Sequence, residues 1–175
     1  MCLVAIACVA AGCSSTRAMF DSPAPSTATP TDFGQQATLR SIGGSAVSGK
    51  IRVVDRGGTA SVLVSLINAP GGAFRIAFHE TPNCSSSNGF SAGAPWAPAA
   101  SGKRPQDLVP AQYGNPEAVF ASELRIAGLH ATGANGVAGR SVVLYAGSTV
   151  PDLRPGVPNE AVACGVFEPA HALTF

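Results

Sequence analysis

Residues 60–66 alternate. Ala60, Val62, Val64 and Leu66 are apolar at every second position, with Ser61, Leu63 and Ser65 between them. That period of two belongs to a strand with one face in a core. Gly57-Gly58 just before it is a tight-turn signal and pairs it with 50–55 as a hairpin. Asn68-Ala69-Pro70-Gly71-Gly72 breaks the chain again, and 73–79 is the next strand. Short β-like runs recur at 37–42, 108–113, 117–124, 141–145 and 162–167, separated by Gly- and Pro-rich loops. About eight strands with no long helical period predict an all-β domain, an antiparallel sandwich or flattened barrel. No internal repeat is visible.

Composition sharpens this picture. Gly 20 and Pro 14 beside 46% apolar residues fit short strands and many turns. Charged residues are 12% and the formal net charge is +1, so no basic face for nucleic acid is expected. Residues 14–36 are rich in Ser, Thr, Pro and Ala, with Pro23, Pro25 and Pro30 spaced through them. Such a segment buries too little apolar surface to repay its ordering and is expected to be a disordered tether. The folded domain is therefore placed at 37–175.

Residues 1–12 are apolar and end in small side chains. A membrane span needs about 20 such residues, so a secretory signal is expected instead. Ala10-Ala11-Gly12-Cys13 resembles a bacterial lipobox. That resemblance implies cleavage after residue 12, lipidation of Cys13 and, with Ser14 following, sorting to the periplasmic face of the outer membrane. No Lys or Arg precedes the apolar run, which a start codon upstream of Met1 would explain. An ordinary secretory signal with Cys13 incidental is the alternative. With Cys2 and Cys8 in the signal and Cys13 lipidated, Cys84 and Cys164 remain, either disulfide-bonded or as two free thiols.

His79-Glu80 followed by Asn83-Cys84-Ser85-Ser86, then Ser91-Ala92-Gly93 and Pro98, is the run that speaks of a family. So do Pro70-Gly71-Gly72, Gly139-Arg140-Ser141-Val142-Val143 and Ala163-Cys164-Gly165-Val166, in that order. Together they resemble bacterial copper–zinc superoxide dismutases over roughly 37–167. The resemblance implies an eight-stranded Greek-key sandwich, a Cys84–Cys164 disulfide and an exported protein. It also implies where metals would bind, and there the residues change. Of the family's His-x-His pair only His79 remains, its partner position being Ala77, with Arg75 no better as a ligand if the register slips. The bridging histidine position holds Pro95, and the last copper position holds Tyr145. The zinc loop is shortened to 102–108, leaving Asp107 as a lone relic, and the family's guiding arginine is Ala161 or Val162.

Redox copper needs several imidazoles and structural zinc about four donors. His79 and Asp107, assigned to different sites, supply neither set. The expectation is a dismutase-like envelope lipoprotein without dismutase activity: no catalytic residue, no cofactor, a membrane partner through its lipid and a protein partner unknown. Copper and zinc would be the cofactors if the family activity survives, with His79, Asp107 and Tyr145 as unorthodox ligands. A copper-handling module without turnover is the third reading. Gly89-Phe90-Ser91-Ala92-Gly93 also fits a nucleophile elbow, with Asp107 or Asp152 and His171 downstream. The elbow requires a strand before and a helix after the serine, and Pro95 and Pro98 oppose that helix. His130 and His171 are expected to face solvent.

Overall fold

The computed structural model describes residues 34–148 and 160–170; positions 1–33, with Cys13, 149–159, with Asp152, and 171–175, with His171, lie outside them. Nine strands form one curled, antiparallel sheet with almost no helix. They are β1 Gln35–Ser41, β2 Ser48–Arg56, β3 Thr59–Ile67, β4 Gly72–His79, β5 Pro95–Trp96, β6 Gln112–Gly114, β7 Phe120–Ala127, β8 Ser141–Ala146 and β9 Ala161–Pro169. The sheet order is β5-β4-β8-β9-β1-β2-β3-β7, with β6 also on β4. Because β8 occupies one edge of β4, β5 and β6 share the other, at its two ends.

The expected β2–β3 hairpin is present, in register from Ser48–Ile67 to Arg56–Thr59. Two expected strands differ. Residues 108–113 were expected as one strand; instead α1, Pro105–Leu108, is a single helical turn, and β6 begins only at Gln112. Pro105 sits at the start of that turn, where its missing N–H costs nothing, and Pro110 cannot donate to a ladder. The run at 117–124 begins late, at Phe120, because Asn115 Oδ1 accepts the Glu117 amide and holds a turn there. The two-residue β5 had no signal in the alternation.

Inward residues of all the long strands meet in one core. Ile51 and Val53, Val62 and Leu66, Phe74, Ile76 and Phe78, and Val142 and Leu144 are all buried. Phe74 of β4 and Phe120 of β7 meet edge to face at 5.1 Å between ring centres. That contact spans the curl, since β4 and β7 lie near opposite ends of the strand order. One end of the core is closed by the loop after β7, which inserts Leu129, Ala131 and Val137. The loop is held by Asp55, whose carboxylate accepts the Ala131 amide at 3.1 Å and faces His130 Nδ1 at 3.2 Å. His130 is thus partnered by Asp55, while its side chain stays 39% exposed and partly faces solvent, as expected.

β8 is buried on both faces, as its unbroken run Ser-Val-Val-Leu-Tyr fits. Val142 and Leu144 enter the main core. Val143 and Tyr145 enter a second, smaller one with Ala92, Ala161 and Cys164, against which Ile42, Ala77 and Cys84 pack. The loop from Glu80 to Ala94 covers this second core, zipped back by Glu80 N–Ala94 O at 3.1 Å and Thr81 N–Ala92 O at 2.9 Å. A Cys84–Cys164 disulfide pins it to β9, closing a sequence separation of 80 residues. In a chain-entropy account such a closure contributes roughly 4–5 kcal/mol.

Candidate functional site

Residues two apart on a strand share a face, so Arg75, Ala77 and His79 of β4 line up beside Tyr145, Val143 and Ser141 of β8, their register partners. Pro95 of β5 pairs with His79 on the other edge. The structure therefore brings together the four positions singled out for copper: Ala77, His79, Pro95 and Tyr145. It does not make them a donor set, since only His79 carries an imidazole.

His79 is fully buried, and both ring nitrogens are engaged. Nδ1 lies 2.8 Å from the Gly93 carbonyl oxygen. A carbonyl can only accept, so Nδ1 carries the proton. In the neutral ring Nε2 then accepts, and the Tyr145 hydroxyl donates to it at 3.0 Å. Burial pushes the His79 imidazole below its ordinary value of 6.5, opposed by the Gly93 bond and the nearby Glu80 charge. Burial also pushes the Tyr145 phenol well above its usual range. The pair is thus two neutral groups, and the one imidazole lone pair, on Nε2, is taken up by the Tyr145 hydroxyl.

Glycine is required at the accepting carbonyl. Gly93 has φ 79 and ψ −159, a combination open only to glycine. A Cβ there would stand 2.6 Å from Thr81 Oγ1. The adjoining β-structure is also adjusted. Between the Leu144–Ala163 and Tyr145–Ala161 pairs β9 holds one extra residue, Val162. Its carbonyl accepts the Ile42 amide at 3.0 Å and the Ser45 hydroxyl. Such a bulge bends β9 where it pairs with Tyr145 of β8.

The remaining candidates lie apart from this pair. Asp107 is at the surface, its carboxylate bonded to Arg104 Nε at 2.8 Å. Among the described residues no group of three or more His, Cys, Asp or Glu is placed to hold a metal ion. Of these four positions only His79 carries an imidazole, and among the described residues Asp107 belongs to no group of three or more such donors. Ser91 lies in a 3-10 turn, Phe90–Ala92, entered from a loop and not a strand. It exchanges hydrogen bonds with Ser86 and donates to the Asn83 carbonyl at 3.1 Å, which makes it a loop brace and not an activated nucleophile.

Two arginines matter that the sequence reading did not assign. Arg75 Nε donates to the Ser148 carbonyl at 2.7 Å and Nη1 to the Gln106 carbonyl at 2.9 Å, joining the end of β8 to α1. Arg140 lies over the Trp96 ring at 3.8 Å, a cation–π contact that ties the residue before β8 to β5. A charge inside an otherwise apolar strand was the one available signal for Arg75. A scan against protein-family models and a search of curated proteins both return no match for this chain.

Proposed function

We propose that this chain is a degenerate member of the copper–zinc superoxide dismutase family, kept as an envelope lipoprotein for binding or structural work and without dismutase activity. The observation that carries the reading is the closed hydrogen-bond chain Tyr145–His79–Gly93. It stands at the positions aligned with copper ligands and consumes the imidazole that remains. The strand order supports the ancestry. β3 is followed by β4 at the far side of the sheet, β4 pairs with β6, and β7 returns to lie beside β3. A long crossover of this kind is a feature of Greek-key sandwiches. The Cys84–Cys164 bond occupies the place the resemblance gives to the family's disulfide. Lipidation at Cys13 and outer-membrane sorting belong to the same reading and rest on the lipobox-like Ala10-Ala11-Gly12-Cys13 alone.

The test is metal analysis of the purified, oxidised mature chain after exposure to copper and zinc, together with a superoxide-removal assay. No stoichiometric copper and no inhibitor-sensitive activity is the expected result. Stoichiometric copper with turnover overturns the proposal; copper without turnover replaces it with the copper-handling reading.

A further inference from the structure

We propose that the open edge of β7 is a self-association surface, at which a second copy of the chain adds its own β7 antiparallel about a two-fold axis at Leu124. β7 ends the strand order and pairs only with β3 among the described residues. Its other edge thus presents ladder donors and acceptors that an added strand can satisfy. The side chains that point to the core from this strand are incompletely covered: Phe120, Ser122 and Leu124 are each half-buried. Ala121, Glu123, Arg125 and Ala127 point outward and are exposed.

Charge then selects one register. An antiparallel pairing that keeps core faces with core faces must place odd-numbered residues opposite odd-numbered ones, because a one-residue slip inverts every side chain. Centred on residue 123, the pairing sets Glu123 against the partner's Glu123. Centred on residue 125, it sets Arg125 against the partner's Arg125. Centred on Leu124, it sets Glu123 against the partner's Arg125 and Arg125 against the partner's Glu123. Only this last arrangement has complementary charge. It also aligns Leu124 with the partner's Leu124 on the core side. The turn Ala99–Ser101 packs against β7 and at Gly128, where an added Cβ would be 2.8 Å from Ala100 C, so the added ladder lies within residues 121–127.

Edge charges often serve to keep strands apart. Two like charges here would oppose all three of these registers, whereas this mixed pair favours the one centred on Leu124. Within a single chain the two groups approach only to 3.9 Å, Arg125 Nε to Glu123 Oε1, with both side chains well exposed. They remain available to partners across the edge.

The experiment is sedimentation equilibrium on the oxidised mature chain at low salt, as wild type, E123R, R125E and the double swap E123R/R125E. Wild type is expected to dimerise in a concentration-dependent way. Each single reversal turns both cross-strand attractions into repulsions and should weaken the dimer by about tenfold or more. The double swap restores complementarity and should return to within about twofold of wild type. An equimolar mixture of the two single variants should associate more tightly than either alone. Both positions are exposed, and circular dichroism verifies that each variant is folded. A wild type that stays monomeric at every concentration overturns the proposal. So does a dimer indifferent to these charges, or a double swap that fails to recover.

Discussion

Replacing Tyr145 by Phe removes one oxygen from the second core and nothing else. The ring stays, so no large cavity opens. What changes is His79: with Nδ1–H committed to the Gly93 carbonyl, Nε2 becomes a buried acceptor without a donor. Leaving such a group unsatisfied costs about 1–3 kcal/mol. For a domain of this size that lowers the melting temperature by roughly 4–10 °C. Thermal denaturation of the oxidised chain measures it, and a double-mutant cycle with His79→Leu isolates the pair. Changing both partners to apolar groups of similar shape should recover part of the loss, giving a coupling of about 1 kcal/mol or more. The same geometry sets a pH dependence. His79 is held neutral, with its folded value below the unfolded 6.5. The unfolded chain therefore binds the extra proton first. Stability from this group is fully present above pH 6.5 and falls as the pH drops from there toward the lowered folded value. In His79→Leu that part of the slope disappears. A Tyr145→Phe protein as stable as wild type, or a His79 that titrates at its ordinary value by NMR, would refute the reasoning.

Other expectations can be checked with the same preparations. Cys84→Ala should cost up to roughly 4–5 kcal/mol of stability under oxidising conditions, while added reductant should bring wild type down to a similar melting temperature; an unaffected melting temperature contradicts the disulfide's role. Ala77→His, Pro95→His and Tyr145→His together surround His79 with imidazoles and should create copper binding detectable by elemental analysis and electron paramagnetic resonance. A folded triple variant that takes up no copper would show that these four positions do not share one pocket. Asp55→Ala removes the acceptor for the Ala131 amide, and should speed hydrogen exchange through residues 129–138 and lower stability by about 1–3 kcal/mol; unchanged exchange there would mean that Leu129 and Val137 hold the loop without it.

Much of the fold was legible because alternation and turn chemistry act locally. Ala60 to Leu66, the Gly57-Gly58 turn and the doubly buried run from Ser141 need no distant information to be read. The failures were local as well: two prolines and an Asn-Pro turn overrode apolar runs at 108–113 and 117–124. The site was legible only as a set of positions. Ala77, Pro95 and Tyr145 could be named as departures from a ligand set, but not that Tyr145 would cap His79. That bond joins residues far apart in sequence and depends on the β4–β8 register together with a bulge in β9. The Gly93 carbonyl was invisible for a related reason, since a backbone acceptor leaves no side-chain signature. The Asp55 partner of His130 was not legible, because that carboxylate belongs to a distant hairpin.

The guanidinium of Arg75 has a consequence for how this molecule is held together. Two segments far apart in sequence are drawn together by a cation built into the chain, hydrogen-bonded to the carbonyls of Gln106 and Ser148. It cannot be chelated, exchanged or starved. This join is made by the chain's own side chain, whereas the loop over the second core is tied to β9 by a Cys84–Cys164 bond that a reductant can open.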